Sequence, residues 1–478
     1  MKVCRIPAKQ IIGLAFGSAF SLLLCLLGLI PALAVTDIPP ESLKIPRMVA
    51  EESVSTFVPS ETAPGQGLAV NLIYPPKPRY PEGAPVVVVV PGGTAADGLG
   101  FSMHAAQAGF VEVRFAFPGG GKSGLASSGI YDNRGQSCQA ALRDILLFAQ
   151  GKLPDSQGRT VRDLVPVKVY LGSIGIVGWS NGGNIALVTL SKFAEQLGAV
   201  GWAAFYECPA GALFFPPNLG GDQDLKINSH YRQGSCATGK CLVDYRKLTW
   251  QADAQKNTGL HKRLGEPEIP GVLFFDENRN RIWDEAREYA FSYATDIGLE
   301  KQIYPPQVTK AVQRFRVFGD KWPGTVATSA ESVAYFQERD GSLYVPDVCQ
   351  KLPGLLVEIF GSKTDHMQRQ PDHPHVALLY NAFLANRAKF VRLNPDPVYV
   401  VQAANMSAFN FVDNKPNASL DADAIDLNLE PEGLTPDYVF MDAAIAELSD
   451  RKRAKNLDAD LKVPIVNYAN GAEPAAAK

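Results

Sequence analysis

Histidine is scarce in this chain: six occur in 478 residues, at positions 104, 230, 261, 366, 373 and 375. No histidine set at catalytic-zinc spacing is present, which argues against a metal-dependent hydrolase. Any chemistry that needs an imidazole base must draw it from these six. Cysteine is nearly as sparse, with seven residues and no Cys-x-x-Cys pair, which removes the zinc-ribbon and dithiol redox readings. Neither sign of charge dominates. Lys and Arg number 46 against 49 Asp and Glu, for a formal net charge of -3, and the signs are interspersed, so no basic patch marks a nucleic-acid partner. Repeats at a fixed period are also missing, which argues against a solenoid.

The chain has one long hydrophobic run, Ile11 to Ile30. Lys2, Arg5 and Lys9 precede it and Pro31-Ala32-Leu33-Ala34 follows. This is the charged, apolar, small-residue order of a secretory signal, with cleavage expected after Ala34 and a secreted or periplasmic product. The run is nearly long enough to span a bilayer, so an uncleaved membrane anchor is the alternative. Cleavage would remove Cys4 and Cys25 and leave Cys138, Cys208, Cys236, Cys241 and Cys349. Export permits disulfides, and Cys236 with Cys241, flanking a short Gly-containing loop, is the expected pair.

Beyond the signal (1–34), residues 35–66 are rich in Pro, Ser, Thr and Glu and read as a linker or extended lead-in. A different texture starts near 67. Leu68 to Tyr74 alternates like a strand, and Val86-Val-Val-Val-Val90 is a continuous run of the kind found in buried strands. A short helix (Ser102 to Ala108), a strand (Phe110 to Ala116), an amphipathic helix (Ser137 to Gln150), a strand (Ile174 to Val177), a helix and a strand (Val200 to Tyr206) follow. Strands separated by helices imply crossovers, hence an α/β fold with a mostly parallel sheet flanked by helices. The alternation fails over 208–345, which reads as a large insertion, a cap or lid. It returns in 346–402 with a strand at Leu355 to Phe360, a helix at Pro374 to Arg387 and a strand at Lys389 to Leu393. Residues 403–478 form a C-terminal extension with one expected helix, Tyr438 to Leu448.

The centre of this pattern is Ile174-Gly-Ile-Val-Gly178-Trp179-Ser180-Asn181-Gly182-Gly183. A β-branched run enters a Gly-x-Ser-x-Gly turn and a helical pattern leaves it, the setting in which the serine of that motif sits on a sharp, exposed turn. Together with Pro91-Gly-Gly-Thr after the apolar strand and Phe117-Pro-Gly-Gly-Gly-Lys-Ser-Gly124 after the next, the stretch resembles the serine esterases, lipases and peptidases of the α/β-hydrolase superfamily over residues 67–207 and 354–394. A phosphate-loop reading of Gly121-Lys122-Ser123 fails, because that motif requires a glycine where Ala116 stands.

The resemblance implies Ser180 as nucleophile and an oxyanion hole from the backbone N–H of Asn181 with Gly93 or Thr94. A serine hydroxyl needs a base. The cluster Asp365-His366 to Asp372-His373-Pro-His375 follows a core strand, at the sheet end where catalytic groups gather. His366 is the first choice as base, His375 the second and His373 the third. Asp365 fills the usual acid slot but adjoins His366, and neighbouring side chains diverge along an extended chain. If His366 is the base, Glu207, at the end of the strand after the turn helix, is the better acid; Asp365 stays the alternative. The chain departs from the family pattern in having no histidine after the last core strand, so a base displaced to this cluster and a loss of activity both stay open.

Asp276, Asn278, Asn280 and Asp284 place side-chain oxygens at positions one, three, five and nine of a loop, as calcium loops do. Arg281 and Arg287 stand where such loops carry Gly and Glu. Calcium here would be structural, and no cofactor is required. The expected function is hydrolysis of a small-molecule carboxylic ester, or a peptide in second place, through an acyl-enzyme on Ser180. The rival is an exported α/β-hydrolase-fold protein that binds a ligand without catalysis.

Overall fold

Eight runs of β-branched and aromatic residues assemble into one sheet because most are apolar on both faces and can be covered only by helices on each side. The computed structural model describes residues 51–122, 124–210, 219, 228–235, 241–254, 271–296, 298–361, 374–393 and 436–455. The strands are β1 (Glu52–Val58), β2 (Leu68–Tyr74), β3 (Ala84–Val90), β4 (Val111–Phe115), β5 (Val169–Trp179), β6 (Val200–Tyr206), β7 (Leu356–Phe360) and β8 (Val391–Leu393). Their order is β1-β2-β4-β3-β5-β6-β7-β8. The β1–β2 and β2–β4 pairs are antiparallel, and every pair from β4–β3 to β7–β8 is parallel.

β1 corrects one boundary. It lies inside the stretch expected to be a lead-in, yet pairs with β2 along its whole length, from Glu52 opposite Tyr74 to Val58 opposite Leu68. Ser53 and Ser55 face outward on this edge strand, and the inward face includes a polar residue, Thr56, which donates to Asp155 at 2.7 Å, so the strand period is hidden.

β3 shows how the sheet is used on both faces. Val86, Val88 and Val90 join a cluster with Leu142, Ile145, Ile185 and Phe205. Val87 and Val89 join a second cluster with Trp202, Tyr206, Ile445 and Leu448. All five valines are at most 1% exposed, and burial of each contributes about 1.5–3 kcal/mol. The helices on the first face include α1 (Gln136–Ala149) and α2 (Asn181–Lys192). The second face is covered by a short 3-10 helix, Ala105–Ala108, inside the expected short helix, and by a helix from the C-terminal extension.

That extension is therefore part of the core, with the helix Pro436–Ala454 supplying Met441, Ile445 and Leu448. The expected insertion has elements of its own. Leu248–Gln251 pairs with Val272–Phe275, and Ala294–Asp296 pairs with Lys301–Ile303. Two helices, α3 (Pro306–Arg314) and α4 (Ser329–Arg339), follow, then α5 (Pro374–Ala385) in the second part of the core and α6 (Pro436–Ala454). The Gly-rich stretch after β4 forms a small hairpin, Gly121–Lys122 with Leu125–Ala126. Cys138, Cys208 and Cys349 are free thiols. The expected Cys236–Cys241 pair involves Cys236, which lies outside the described residues. Among the described residues no helix is long and apolar enough to cross a membrane; the expected signal, 1–34, lies outside them.

Candidate active site

The sharp turn between β5 and α2 is built as the motif requires. Ser180 has φ 48° and ψ -126°, a backbone conformation that non-glycine residues rarely adopt and that the surroundings must enforce. Its N–H donates to the Tyr206 carbonyl at 2.6 Å, and its own carbonyl accepts from Gly183 N–H at 2.9 Å. The flanking glycines are needed for close approach. A Cβ on Gly182 would lie 2.2 Å from the Val90 carbonyl oxygen, and one on Gly178 would lie 2.5 Å from the Gly183 Cα. The serine is half-buried, at the open end of the sheet.

The loop after β3 meets this turn. A Cβ on Gly92 would fall 2.9 Å from the Ser180 Cβ, so the glycine lets the loop pass directly over the serine. Gly93 takes the left-handed conformation at φ 65°. The Asn181 amide donates to the Gly93 carbonyl at 3.1 Å, which joins two of the expected oxyanion residues. The Thr94 hydroxyl is buried without a hydrogen-bond partner among the described residues. Gly92 thus meets Ser180 directly, and Gly93 is tied to Asn181, the residue after the serine.

Glu207 comes to the same end of the sheet from β6. It too is left-handed, at φ 48°, and its N–H donates to the carbonyl of Phe360, the last residue of β7, at 2.9 Å. Its Oε2 lies 2.8 Å from Nε2 of His375, on the first turn of α5. Both side chains are buried, at 7% and 1% exposure. With the carboxylate as acceptor, Nε2 carries the proton. The first-choice partnership, Glu207 with His366, lies outside the described residues, as do Asp365 and His373. Glu207, a candidate acid, thus contacts His375, the second choice as base.

Two other histidines are engaged elsewhere. His104 Nδ1 pairs with Glu51 at 3.2 Å, and that carboxylate raises its pKa above the ordinary value. His230 pairs with Glu277 in the insertion and packs on the Phe275 ring, with centroids 4.1 Å apart. The residue before the serine belongs to an aromatic group: Trp179 stacks on Tyr206 at 4.2 Å between centroids and meets Phe101 edge-on at 5.4 Å.

The loop that carries Asp276, Asn278, Asn280 and Asp284 uses its regular spacing in side-chain turns. Asp276 accepts from the N–H groups of Asn280 at 3.1 Å and Arg281 at 3.0 Å, Asn278 from Asn280 at 2.9 Å, Asn280 from Ile282 at 2.8 Å, and Asp284 from Ala286 at 3.0 Å. Glu288, which the spacing argument overlooked, closes the loop by accepting from Glu277 and Asp284 N–H, both at 2.9 Å. Among the described residues no three His, Cys, Asp or Glu side chains gather as a metal site.

The strand order, the parallel core and the strained serine at the end of β5 define an α/β-hydrolase-type fold with the candidate site at the carboxyl ends of the strands. No protein-family model matches the chain, and no curated protein matches it in sequence. Solved structures with some likeness include a hypothetical protein from Pseudomonas aeruginosa, 16% identical over 34% of this chain and 44% of its own, with a TM-score of 0.23. Brefeldin A esterase, described as a bacterial homologue of human hormone sensitive lipase, is 13% identical over 75% of this chain and 70% of its own, at 0.32. A fungal esterase from Rhizomucor miehei is 11% identical over 87% of each chain, at 0.36. The chain spans less than half the length of the first of these.

Proposed function

We propose that the protein is an exported serine hydrolase that cleaves a small carboxylic ester through an acyl-enzyme on Ser180, with a peptide as the second choice of substrate. The observation that carries this reading is the convergence on one sheet end of the strained Ser180, the Gly92–Thr94 loop and the buried Glu207–His375 pair. The hydroxyl attacks the carbonyl carbon, a histidine takes its proton, and the oxyanion rests on N–H groups of Asn181 and Gly93 or Thr94. The alcohol leaves with the proton, and water repeats the sequence to free the acid. The aromatic group around Trp179 suits an apolar substrate portion. The chemistry needs no cofactor, and a calcium ion on the 276–284 loop would serve structure only.

Glu207 is the acid in this reading, and His366 the base. His375 then holds the carboxylate in position, as its burial and its use of Nε2 suit an anchoring role; a carboxylate has a second oxygen to orient another imidazole. A second reading, favoured by the 2.8 Å contact itself, makes His375 the base through Nδ1. Hydrolysis of p-nitrophenyl butyrate by purified variants tests both. Ser180→Ala should remove turnover, Glu207→Gln should lower kcat by about 10²–10⁴-fold, and His366→Gln should cost more than His375→Gln. The reverse order of the two histidines would assign the base to His375, and equal activity of wild type and Ser180→Ala would refute the mechanism.

A further inference from the structure

Arg134 is a cation with 2% exposure in the turn before α1, and the catalytic reading above gives it no role. Its Nη2 donates into the loop after β3, to the carbonyls of Pro91 at 3.2 Å, Ala95 at 3.3 Å and Gly92 at 3.4 Å. Its Nε donates to the Tyr131 hydroxyl at 3.2 Å, and the guanidinium lies 4.2 Å from the centroid of the Phe117 ring. A planar trans peptide points its C=O and its N–H in opposite directions. Fixing the Gly92 carbonyl therefore fixes the direction of the Gly93 N–H. By the same geometry, the Asn181 amide on the Gly93 carbonyl fixes the Thr94 N–H. Two side chains thus set both candidate oxyanion donors of this loop.

Arg134 is itself held from the insertion. Asn133 and Arg134 are consecutive left-handed residues, φ 53° and 66°, a conformation that needs outside support. Arg339 at the end of α4 supplies it, donating from Nε to the Asn133 carbonyl at 2.8 Å and from Nη2 to the Asp132 carbonyl at 2.9 Å. The Asn133 amide donates in turn to the Thr295 carbonyl at 2.9 Å. A Cβ on Gly135 would lie 2.6 Å from the Arg339 guanidinium, so the glycine keeps this approach open.

We propose that Arg134 is the positioning residue of the oxyanion loop, and that the 208–345 insertion sets the loop's geometry by holding Arg134 through Arg339. This rests on the assignment of the Gly93 and Thr94 N–H groups as oxyanion donors. The insertion then acts as a brace for the catalytic loop from behind, in addition to any part it has over the cleft.

The test compares wild type, Arg134→Met, Arg134→Lys and Arg339→Met by p-nitrophenyl butyrate kinetics, by amide hydrogen exchange over residues 92–97 and by thermal unfolding. In folded Arg134→Met, kcat should fall about 10- to 100-fold with KM within about twofold, less than the about 10²–10³-fold of a lost oxyanion donor because the N–H groups are displaced and not removed, and exchange over 92–97 should accelerate. Arg339→Met should shift both readouts in the same direction by less, and Arg134→Lys, which keeps the charge and one donor group, should recover part of the loss. Unchanged exchange over 92–97 in folded Arg134→Met overturns the proposal, whatever happens to kcat; if that variant does not fold, unchanged exchange in both Arg134→Lys and Arg339→Met does so. Should wild type show no Ser180-dependent turnover, the hydrolase reading fails separately, and the exchange data still decide whether Arg134 and the insertion hold the loop.

Discussion

Ser180 sits in a strained conformation because everything around it leaves no alternative: Tyr206 accepts its N–H at 2.6 Å, and Gly182 lets α2 start against the Val90 carbonyl. The motif was legible in the sequence because this geometry is local, with each glycine answering a contact within the turn or with the end of β3. Gly182→Ala tests the point. With a Cβ 2.2 Å from backbone oxygen, β3 and α2 must separate, at a cost of about 1–3 kcal/mol. A lowered denaturation midpoint together with reduced Ser180 reactivity is the expected outcome, and a variant as stable as wild type would show that the turn is not tightly packed. The Glu207–His375 contact was less legible. Its partners are 168 positions apart, and their meeting depends on the end of β6 and the start of α5 arriving at one place. The position of Glu207 after its strand was a usable signal; the burial of His375 was not, because His-Pro-His also suits a solvent-exposed helix entry.

At the level of elements, α6 departs most from expectation. The sequence shows its helical pattern, but its burial against the sheet depends on polar residues whose partners lie far away. Arg79 meets Asp450 through two hydrogen bonds, 3.0 and 2.7 Å long, while Tyr80 donates to Asp450 at 2.6 Å and pairs with Ser449 at 2.8 Å. Breaking such a buried pair by removing one member costs about 3–5 kcal/mol. A charge read alone suggests a solvent face, so these residues point to an exposed extension until the partners are seen. Beside them, Glu358 on β7 is fully buried, and neither carboxyl oxygen has a hydrogen-bond partner among the described residues. Burial first, then Glu447, pushes its pKa well above the ordinary 4.5, against the opposing pull of Arg392 and Arg451. The folded state therefore keeps this proton after the unfolded chain has released it. The resulting cost is absent below about pH 4.5 and grows as pH rises towards the folded pKa. Glu358→Gln, which imitates the neutral acid, should leave the thermal midpoint nearly unchanged at about pH 4 and raise it at about pH 7. A lower midpoint than wild type at pH 7 would show instead that Glu358 acts as an ionised partner of Arg392.

Across the whole molecule, the parallel core was legible because its strands are continuous apolar runs separated by helices of crossover length. β1 escaped notice because an edge strand needs only one apolar face. The insertion lost its period for a different reason. Its paired strands are three or four residues long, too short for alternation to register, and its packing comes from aromatic residues such as Phe275, Tyr289, Phe291 and Tyr304 collected from separate segments. Its link to the candidate site, Arg339 on the Asp132–Asn133 carbonyls, joins two stretches that carry no shared motif. In the proposed reading, all these parts bear on one hydroxyl, that of Ser180. Incubating the folded protein with a fluorophosphonate and mapping the adduct by peptide mass spectrometry measures that directly. The account predicts a single adduct on the peptide that contains Ser180, absent from Ser180→Ala and formed more slowly in Glu207→Gln. A folded wild-type protein that takes up no label at Ser180 would contradict it and would leave the non-catalytic binding reading in its place.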